Sequence, residues 1–283
     1  MPTMQDWTIP GALDQTIAGT THLVEGEARG VVLVAHGFKG YKDYGFIPLL
    51  AARLASERLI VHRFNFSHSG MTHGHGPFDA DLFRNDTWNR QVEDILAVQS
   101  ALIDGTLEGS GRPQVLFGHS RGGVTAILAA GRWADDERMS LLRGVITAAS
   151  PARACSLPDD QREAFLRDGF IDSPSARTGQ TLRIDAGWLR EQQADPEGHD
   201  LATQAGRVRV PVGIVHGLAD RTVSPDDAVF LAEAVGERAI MRMIQDGDHV
   251  FNTPNPADAG AEPSRQRLEM EQVVVDLCAR WIR

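Results

Sequence analysis

The stretch Gly118-His119-Ser120-Arg121-Gly122-Gly123 restricts the fold of this 283-residue chain more than any other. It follows the apolar run Val115-Leu116-Phe117 and precedes a second apolar run over 124–130. Gly-x-Ser-x-Gly between a strand and a helix predicts a sharp turn that forces the serine into strained backbone and lifts its hydroxyl clear of the sheet edge. The following helix then points its N-terminus at the same spot. Gly118 and Gly122 suit the turn because a Cβ at either position would crowd it or the adjoining strand. A glycine-rich turn with a serine N-cap would carry the same letters without chemistry. The flanking strand and helix patterns favour reading Ser120 as a nucleophile.

Along the rest of the chain, short β-branched runs alternate with helical periods. That pattern predicts an α/β fold with a mostly parallel central sheet and helices on both faces. Strands are expected over 31–35, 59–64, 115–117, 144–149, 208–215 and 239–244, with antiparallel edge strands within 15–25. A helix capped by Asp43 is expected through Ile47, Leu50, Leu54 and Ala55, with Pro48 in its first turn. A second follows Trp88, Val92, Ile95, Leu96, Gln99 and Leu102. The last carries Leu268, Val274, Val275, Cys278, Trp281 and Ile282 on one face behind a Ser264 cap. Residues 151–206 break the alternation. They are polar, with short helical fragments at 163–166 and 187–189 and no clear buried strand. An insertion of this length predicts a small helical cap over the site. The expected division is a core of residues 1–150 and 207–283 and a cap of residues 151–206.

With 42% hydrophobic residues the chain can bury a substantial core, and a net charge of -10 argues against nucleic-acid and anionic-membrane partners. The two cysteines form no disulfide framework. Cys278 falls on an apolar helix stripe as a small core residue, and Cys155 has no histidine beside it in sequence. The start of the chain has no basic, apolar pattern of a signal peptide, and no stretch approaches membrane-spanning length. A cytoplasmic protein is the expectation.

A serine hydroxyl needs a base to take its proton and a carboxylate to hold that base in the right tautomer. In a sheet entered by such a turn, the partners follow in the order serine, acid, histidine. Asp220 lies in the loop after the strand ending at His216-Gly217, and His249 follows the strand over 239–244. Asp220 could instead cap the next helix, and Asp246 and Asp248 stand too near His249 in sequence to orient its ring easily. Ser120, Asp220 and His249 all fall just beyond the C-terminal ends of strands, the edge where open α/β sheets bind ligands. Acyl transfer further needs donors for the oxyanion. The N–H of Arg121, next to the nucleophile, is one candidate. The N–H of Phe38, in the loop His36-Gly37-Phe38-Lys39-Gly40, is the other, with His36 bracing that loop. His73 and His75 are two apart in a glycine-rich loop, without the companions a metal site requires. Arg63, Arg121 and Arg153 are candidates to neutralise an acidic substrate, or to pair with local carboxylates.

On these residues the chain resembles the α/β-hydrolase superfamily. The resemblance rests on His36-Gly37, Gly118-His119-Ser120-Arg121-Gly122-Gly123, His216-Gly217-x-x-Asp220-x-x-Val223 and Gly247-Asp248-His249. His36-Gly37-Phe38-Lys39-Gly40 and Arg63-Phe64-Asn65-Phe66-Ser67-His68-Ser69-Gly70 are similar to the serine aminopeptidase-like, dienelactone hydrolase-like and feruloyl esterase-like branch. The resemblance implies a cofactor-free serine esterase acting on a small-molecule ester. Ser120 would be its nucleophile, His249 its base, Asp220 the orienting acid, and Phe38 and Arg121 the oxyanion donors. An aminopeptidase or amidase using the same triad is the alternative, and a non-catalytic ligand-binding homologue a further one. The turn holds serine where typical dienelactone hydrolases use cysteine, and the chain lacks the His-Gly-Gly-Gly loop of the hormone-sensitive-lipase type.

Overall fold

The computed structural model describes residues 3–71, 78–175, 179–258 and 260–282. In chain order the first half holds β1 (Met4–Pro10), β2 (Thr16–His22), β3 (Gly30–Ala35), α1 (Ile47–Ser56), β4 (Leu59–Asn65), α2 (Ala80–Arg84), α3 (Trp88–Ile103), β5 (Gln114–His119), α4 (Arg121–Arg132) and β6 (Leu142–Ala148). Then come α5 (Asp159–Asp168), β7 (Phe170–Ser175), β8 (Gln180–Asp185), α6 (Gly187–Ala194), α7 (Pro196–His199), α8 (Leu201–Arg207), β9 (Val212–Gly217), α9 (Asp226–Val235), β10 (Ala239–Ile244) and α10 (Arg265–Trp281).

Eight strands form one sheet in the order β1-β2-β4-β3-β5-β6-β9-β10. From β4 to β10 all neighbours are parallel, and β1 and β2 close one edge in antiparallel register. The parallel strands β3, β4, β5 and β9 are buried along their whole length. That is why they read as continuous apolar runs and not as alternation. One face packs on α3, α4, α8 and α9, and the other on α1 and α10.

The local chemistry explains where elements begin. Thr87 caps α3 by accepting from the N–H of Arg90, and Ser264 caps α10 by accepting from Arg267. Asp43 does not cap α1. Phe46 occupies that position, Pro48 sits in the first turn, and Asp43 pairs with Lys42 and Arg63. On α10 the buried stripe is Met270, Val274, Leu277 and Cys278, and Leu268 is exposed. Strand β9 starts at Val212, just past Pro211, which has no N–H to give a ladder. The N-terminal edge holds a strand earlier than the expected span, β1, whose mostly exposed residues carry little hydrophobic signal.

Between β6 and β9 the chain leaves the sheet. The expected helical fragments lie within α5 and α6. Between them stands an antiparallel hairpin, β7–β8, in which Ile171 faces Ile184. Its sequence hid it, because Pro174 inside β7 argues against a strand. Helix α8, at the end of the same stretch, packs into the core. Leu201 and Ala205 join the main apolar cluster, and a Cβ on Gly131 of α4 would lie 2.3 Å from the carbonyl oxygen of Gln204. Among the described residues no helix is long and apolar enough to cross a membrane.

Candidate active site

The turn between β5 and α4 leaves Ser120 at φ 53° and ψ -121°. A residue with a side chain pays about 1–3 kcal/mol for such a conformation, so the surroundings must over-determine it. They do so through close backbone approach. A Cβ on Gly118 would lie 2.2 Å from the carbonyl oxygen of Gly122, and one on Gly122 would lie 2.4 Å from that of Ala35. Ser120 N–H donates to Ala148 on β6 at 2.8 Å, and its carbonyl accepts from Gly123 at 2.8 Å.

His249 brings its Nε2 to 3.0 Å from Ser120 Oγ and its Nδ1 to 2.8 Å from Asp220 Oδ2. An ionised carboxylate only accepts, so Nδ1 carries the proton and Nε2 offers a lone pair to the serine hydroxyl. The Asp220 side chain is fully buried. Burial alone would raise its pKa, but hydrogen bonds from His216, His249 and the N–H of Val223 outweigh it and hold the carboxyl well below the usual range. Oδ1 accepts from the N–H groups of Thr222 at 2.8 Å and Val223 at 3.0 Å, so the carboxylate closes its own loop and caps no helix. Helix α9 begins later, behind Pro225. Asp248 is occupied with the N–H groups of Val250 and Asn252, and Asp246 with Gln245.

Two histidines whose place in the motifs assigns them no role support this row. His216 Nε2 lies 3.3 Å from Asp220 Oδ2 and 3.2 Å from the carbonyl of Val223. Both are acceptors, so Nε2 carries the proton and adds a bond to the buried carboxylate. His119 Nε2 donates to the carbonyl of His249 at 2.9 Å. Burial first, then the neighbouring His249, push the pKa of His119 down to about 3. It is a neutral strut that fixes the backbone of His249. Each stands inside a motif already singled out, so proximity to the motif was the available signal. The loops that carry Asp220 and His249 are themselves joined: Ala219 N–H donates to the carbonyl of Gly247 at 2.8 Å.

A family model described as the alpha/beta hydrolase family matches residues 31–262. The chain belongs to the alpha/beta hydrolase family. Comparison with curated proteins gives no match. Among solved structures, Est1E from Butyrivibrio proteoclasticus with ferulic acid bound superposes with a TM-score of 0.73 at 17% identity, over 98% of this chain and 99% of that one. Alpha/beta hydrolase domain-containing protein 10 from mouse gives 0.70 at 18% identity, over 98% and 99%. Dienelactone hydrolase from Anabaena variabilis ATCC 29413 gives 0.59 at 14% identity, over 99% of each chain. At these identities the likeness is one of fold.

In this alpha/beta hydrolase the loop after β3 lies against the turn, since a Cβ on Gly37 would stand 3.0 Å from Ser120 Cβ. His36 braces that loop, accepting from the N–H of Phe66 at 3.3 Å. Arg121 begins α4, and its guanidinium packs on rings of the cavity wall. It lies 4.4 Å from the ring centroid of Trp88 and 3.5 Å from buried Asp86. Burial raises the pKa of Asp86, while Arg121 and a hydrogen bond from Gln91 oppose that rise. Arg63 is paired with Asp43. Of the three arginines considered for an acidic substrate, Arg153 lines the cavity above Ser120 without a role in these two pairs. Asp86 and its partners were invisible in the sequence, because nothing local marks a carboxylate that pairs across loops.

That cavity holds about 380 Å³. Phe38, Trp88, Phe165 and Trp188 give it aromatic walls, and Ile171 and Ile184 of the hairpin roof it. Cys155 lines a separate surface groove beside α9, and burial pushes the Cys278 thiol up to about 12. His73 and His75 lie outside the described residues.

Proposed function

We propose that this protein is a serine hydrolase that cleaves carboxylic esters through an acyl-enzyme. The observation that carries this reading is the row Asp220–His249–Ser120, closed by contacts of 2.8 and 3.0 Å, with the serine held in strained backbone. Ser120 Oγ attacks the ester carbonyl carbon while His249 Nε2 takes the hydroxyl proton. A C–O bond forms, the carbonyl π pair moves to oxygen, and the N–H groups of Phe38 and Arg121 stabilise that oxyanion. Collapse breaks the bond to the alcohol, which leaves with the proton from His249. Water, deprotonated by His249, then attacks the acyl-enzyme, and collapse frees the acid and returns the proton to Ser120.

An ester is favoured over a peptide with a free amine by the cavity's charge. An aminopeptidase would need an acidic group to hold the substrate ammonium. Among the described residues Asp172 is the one carboxylate on the cavity wall, and it is engaged with Arg183 at 3.2 Å. The other walls are mostly apolar, with neutral Ser156, Ser173 and Thr222 and the cations Arg121 and Arg153, which suits a neutral or anionic ester with an apolar acyl group.

The test is covalent. A fluorophosphonate probe is expected to label wild-type protein at Ser120, located by peptide mass spectrometry, and to leave Ser120→Ala and His249→Ala unlabelled. Ser120→Ala should lose about 10⁶ in kcat on p-nitrophenyl acetate. Undiminished turnover by the folded alanine variant would sink the mechanism.

A further inference from the structure

The turn beside the nucleophile holds a residue that its own backbone disfavours. Gly40 N–H donates to the Gly37 carbonyl at 3.0 Å and closes a four-residue turn around Phe38 and Lys39. Lys39, in the third position, has φ 56°. Turns of this kind normally place glycine or asparagine there. A residue with a Cβ is strained in that region, and the conformation persists only where the surroundings fix it.

What a lysine offers at this position, and glycine does not, is reach. Its Nζ donates to the carbonyls of Ser173 at 3.3 Å and Pro174 at 2.5 Å, both on β7 of the hairpin. On the way it passes 5.2 Å from the ring centroid of Phe38. The same ring leans on Phe83 at 5.5 Å and faces the Arg121 guanidinium at 5.5 Å. The hairpin has a second polar tether, Arg84 of α2 to Asp185 of β8 at 3.0 Å. That tether reaches β8 from outside the turn. The Lys39 contact joins the hairpin to the turn packed against Ser120.

We propose that Lys39 is a positioning residue: it ties the hairpin to the turn, so that the seated hairpin fixes the direction of the Phe38 N–H toward the reacting carbonyl oxygen. This inference rests on the esterase reading and on Phe38 as an oxyanion donor. It links a recognition element to the chemical step through one side chain. It also accounts for a strained lysine where an unstrained glycine would close the same turn.

The experiment is steady-state kinetics of the full chain on p-nitrophenyl acetate, whose acyl group is too small to need the roof. The variants are Lys39→Gly, Lys39→Met, Lys39→Arg and Arg84→Gln. A displaced donor costs less than a deleted one, so Lys39→Gly and Lys39→Met should lose about tenfold in kcat with KM within about twofold. Lys39→Gly relieves the backbone strain, so its Tm should match or exceed that of the wild type, which separates positioning from damage to the fold. Lys39→Arg can donate to the same carbonyls and should retain most of kcat. Arg84→Gln removes the tether to β8 but leaves Lys39 on the carbonyls of Ser173 and Pro174, so kcat should stay within about twofold. Wild-type kcat in Lys39→Gly and Lys39→Met, or an equal loss in Arg84→Gln, would overturn the positioning role while leaving the esterase reading intact. Absence of ester turnover and of fluorophosphonate labelling in the wild type would remove both.

Discussion

Ser120 and the hairpin face each other across one cavity, and they are held in place in different ways. Around Ser120, backbone meets backbone: Gly118 against Gly122, Gly122 against Ala35, Gly37 against the His119 carbonyl. The carboxylate below is buried and fully bonded. The roof has a small buried apolar cluster of its own, Phe165, Ala186 and Leu189. It is anchored to the core by Trp188, which packs against Trp88, and by polar contacts: Lys39 to β7, Arg84 to Asp185, and Glu191 of α6, which accepts from the N–H of Trp88 at 2.7 Å. Proton transfer needs atoms fixed to within a fraction of an ångström. Recognition of an acyl group needs an apolar wall that can give way as substrate enters. Segments with few buried apolar contacts open at low cost. On the proposed esterase reading a division of labour follows from that: chemistry on the rigid sheet edge, selection on the thin roof.

The sharpest way to break this comparison is to disturb the rigid side without changing its shape. Asp220→Asn keeps the volume but turns one acceptor into a donor. The Nδ1 proton of His249 then loses its partner, and the ring is free to present the wrong tautomer to Ser120. The expected loss is about 10⁴ in kcat with KM little changed, read by steady-state hydrolysis of p-nitrophenyl acetate. A loss under tenfold would mean that the buried carboxylate does not set the state of the base.

One substitution made in both regions sharpens the contrast in stability. Gly122→Ala would place a methyl 2.4 Å from the backbone oxygen of Ala35, where no flexible side chain can yield. It should cost about 3 kcal/mol, and lower Tm by roughly 6–10 °C in calorimetry. Gly187→Ala, at the start of α6, meets nothing within 4 Å. There alanine replaces glycine in a helix and should be neutral or stabilising by up to about 1 kcal/mol. Equal losses at the two positions would show the roof to be as tightly packed as the turn.

The same contrast explains what was legible in the sequence. The turn at Ser120 could be read because steric demand leaves a mark on residue type: glycine where backbone touches backbone, and apolar runs where strands are buried on both faces. Asp220 and His249 were candidates because each follows the C-terminal end of a strand, in the order serine, acid, histidine. The hairpin left no such mark. Its strands are half-buried, one contains Pro174, and its partners lie far along the chain in Lys39 and Arg84. His119 and His216 stood inside recognised motifs, yet their tasks depend on atoms brought in by other loops. Asp43 showed the converse error, a plausible cap whose carboxylate is taken by its neighbour Lys42 and by Arg63 from β4.

The smallest expected effect lies in the roof and concerns selection alone. Ile171 on β7 and Ile184 on β8 face each other across the hairpin, and both look onto the cavity. Ile171→Ala removes three carbons from a partly exposed wall, so only part of their burial energy is lost, about 1 kcal/mol. An apolar acyl chain that reaches the roof makes this contact equally in the ground and transition states. Its loss should therefore raise KM and leave kcat alone. With p-nitrophenyl octanoate the expected rise in KM is about fivefold. With the acetate ester, which stops short of the roof, kcat and KM should both stay within about twofold. The carbonyls that Lys39 holds belong to Ser173 and Pro174 and are untouched by this change. A fall in kcat for acetate would thus show that the apolar wall, and not the lysine tether, carries the coupling between roof and turn.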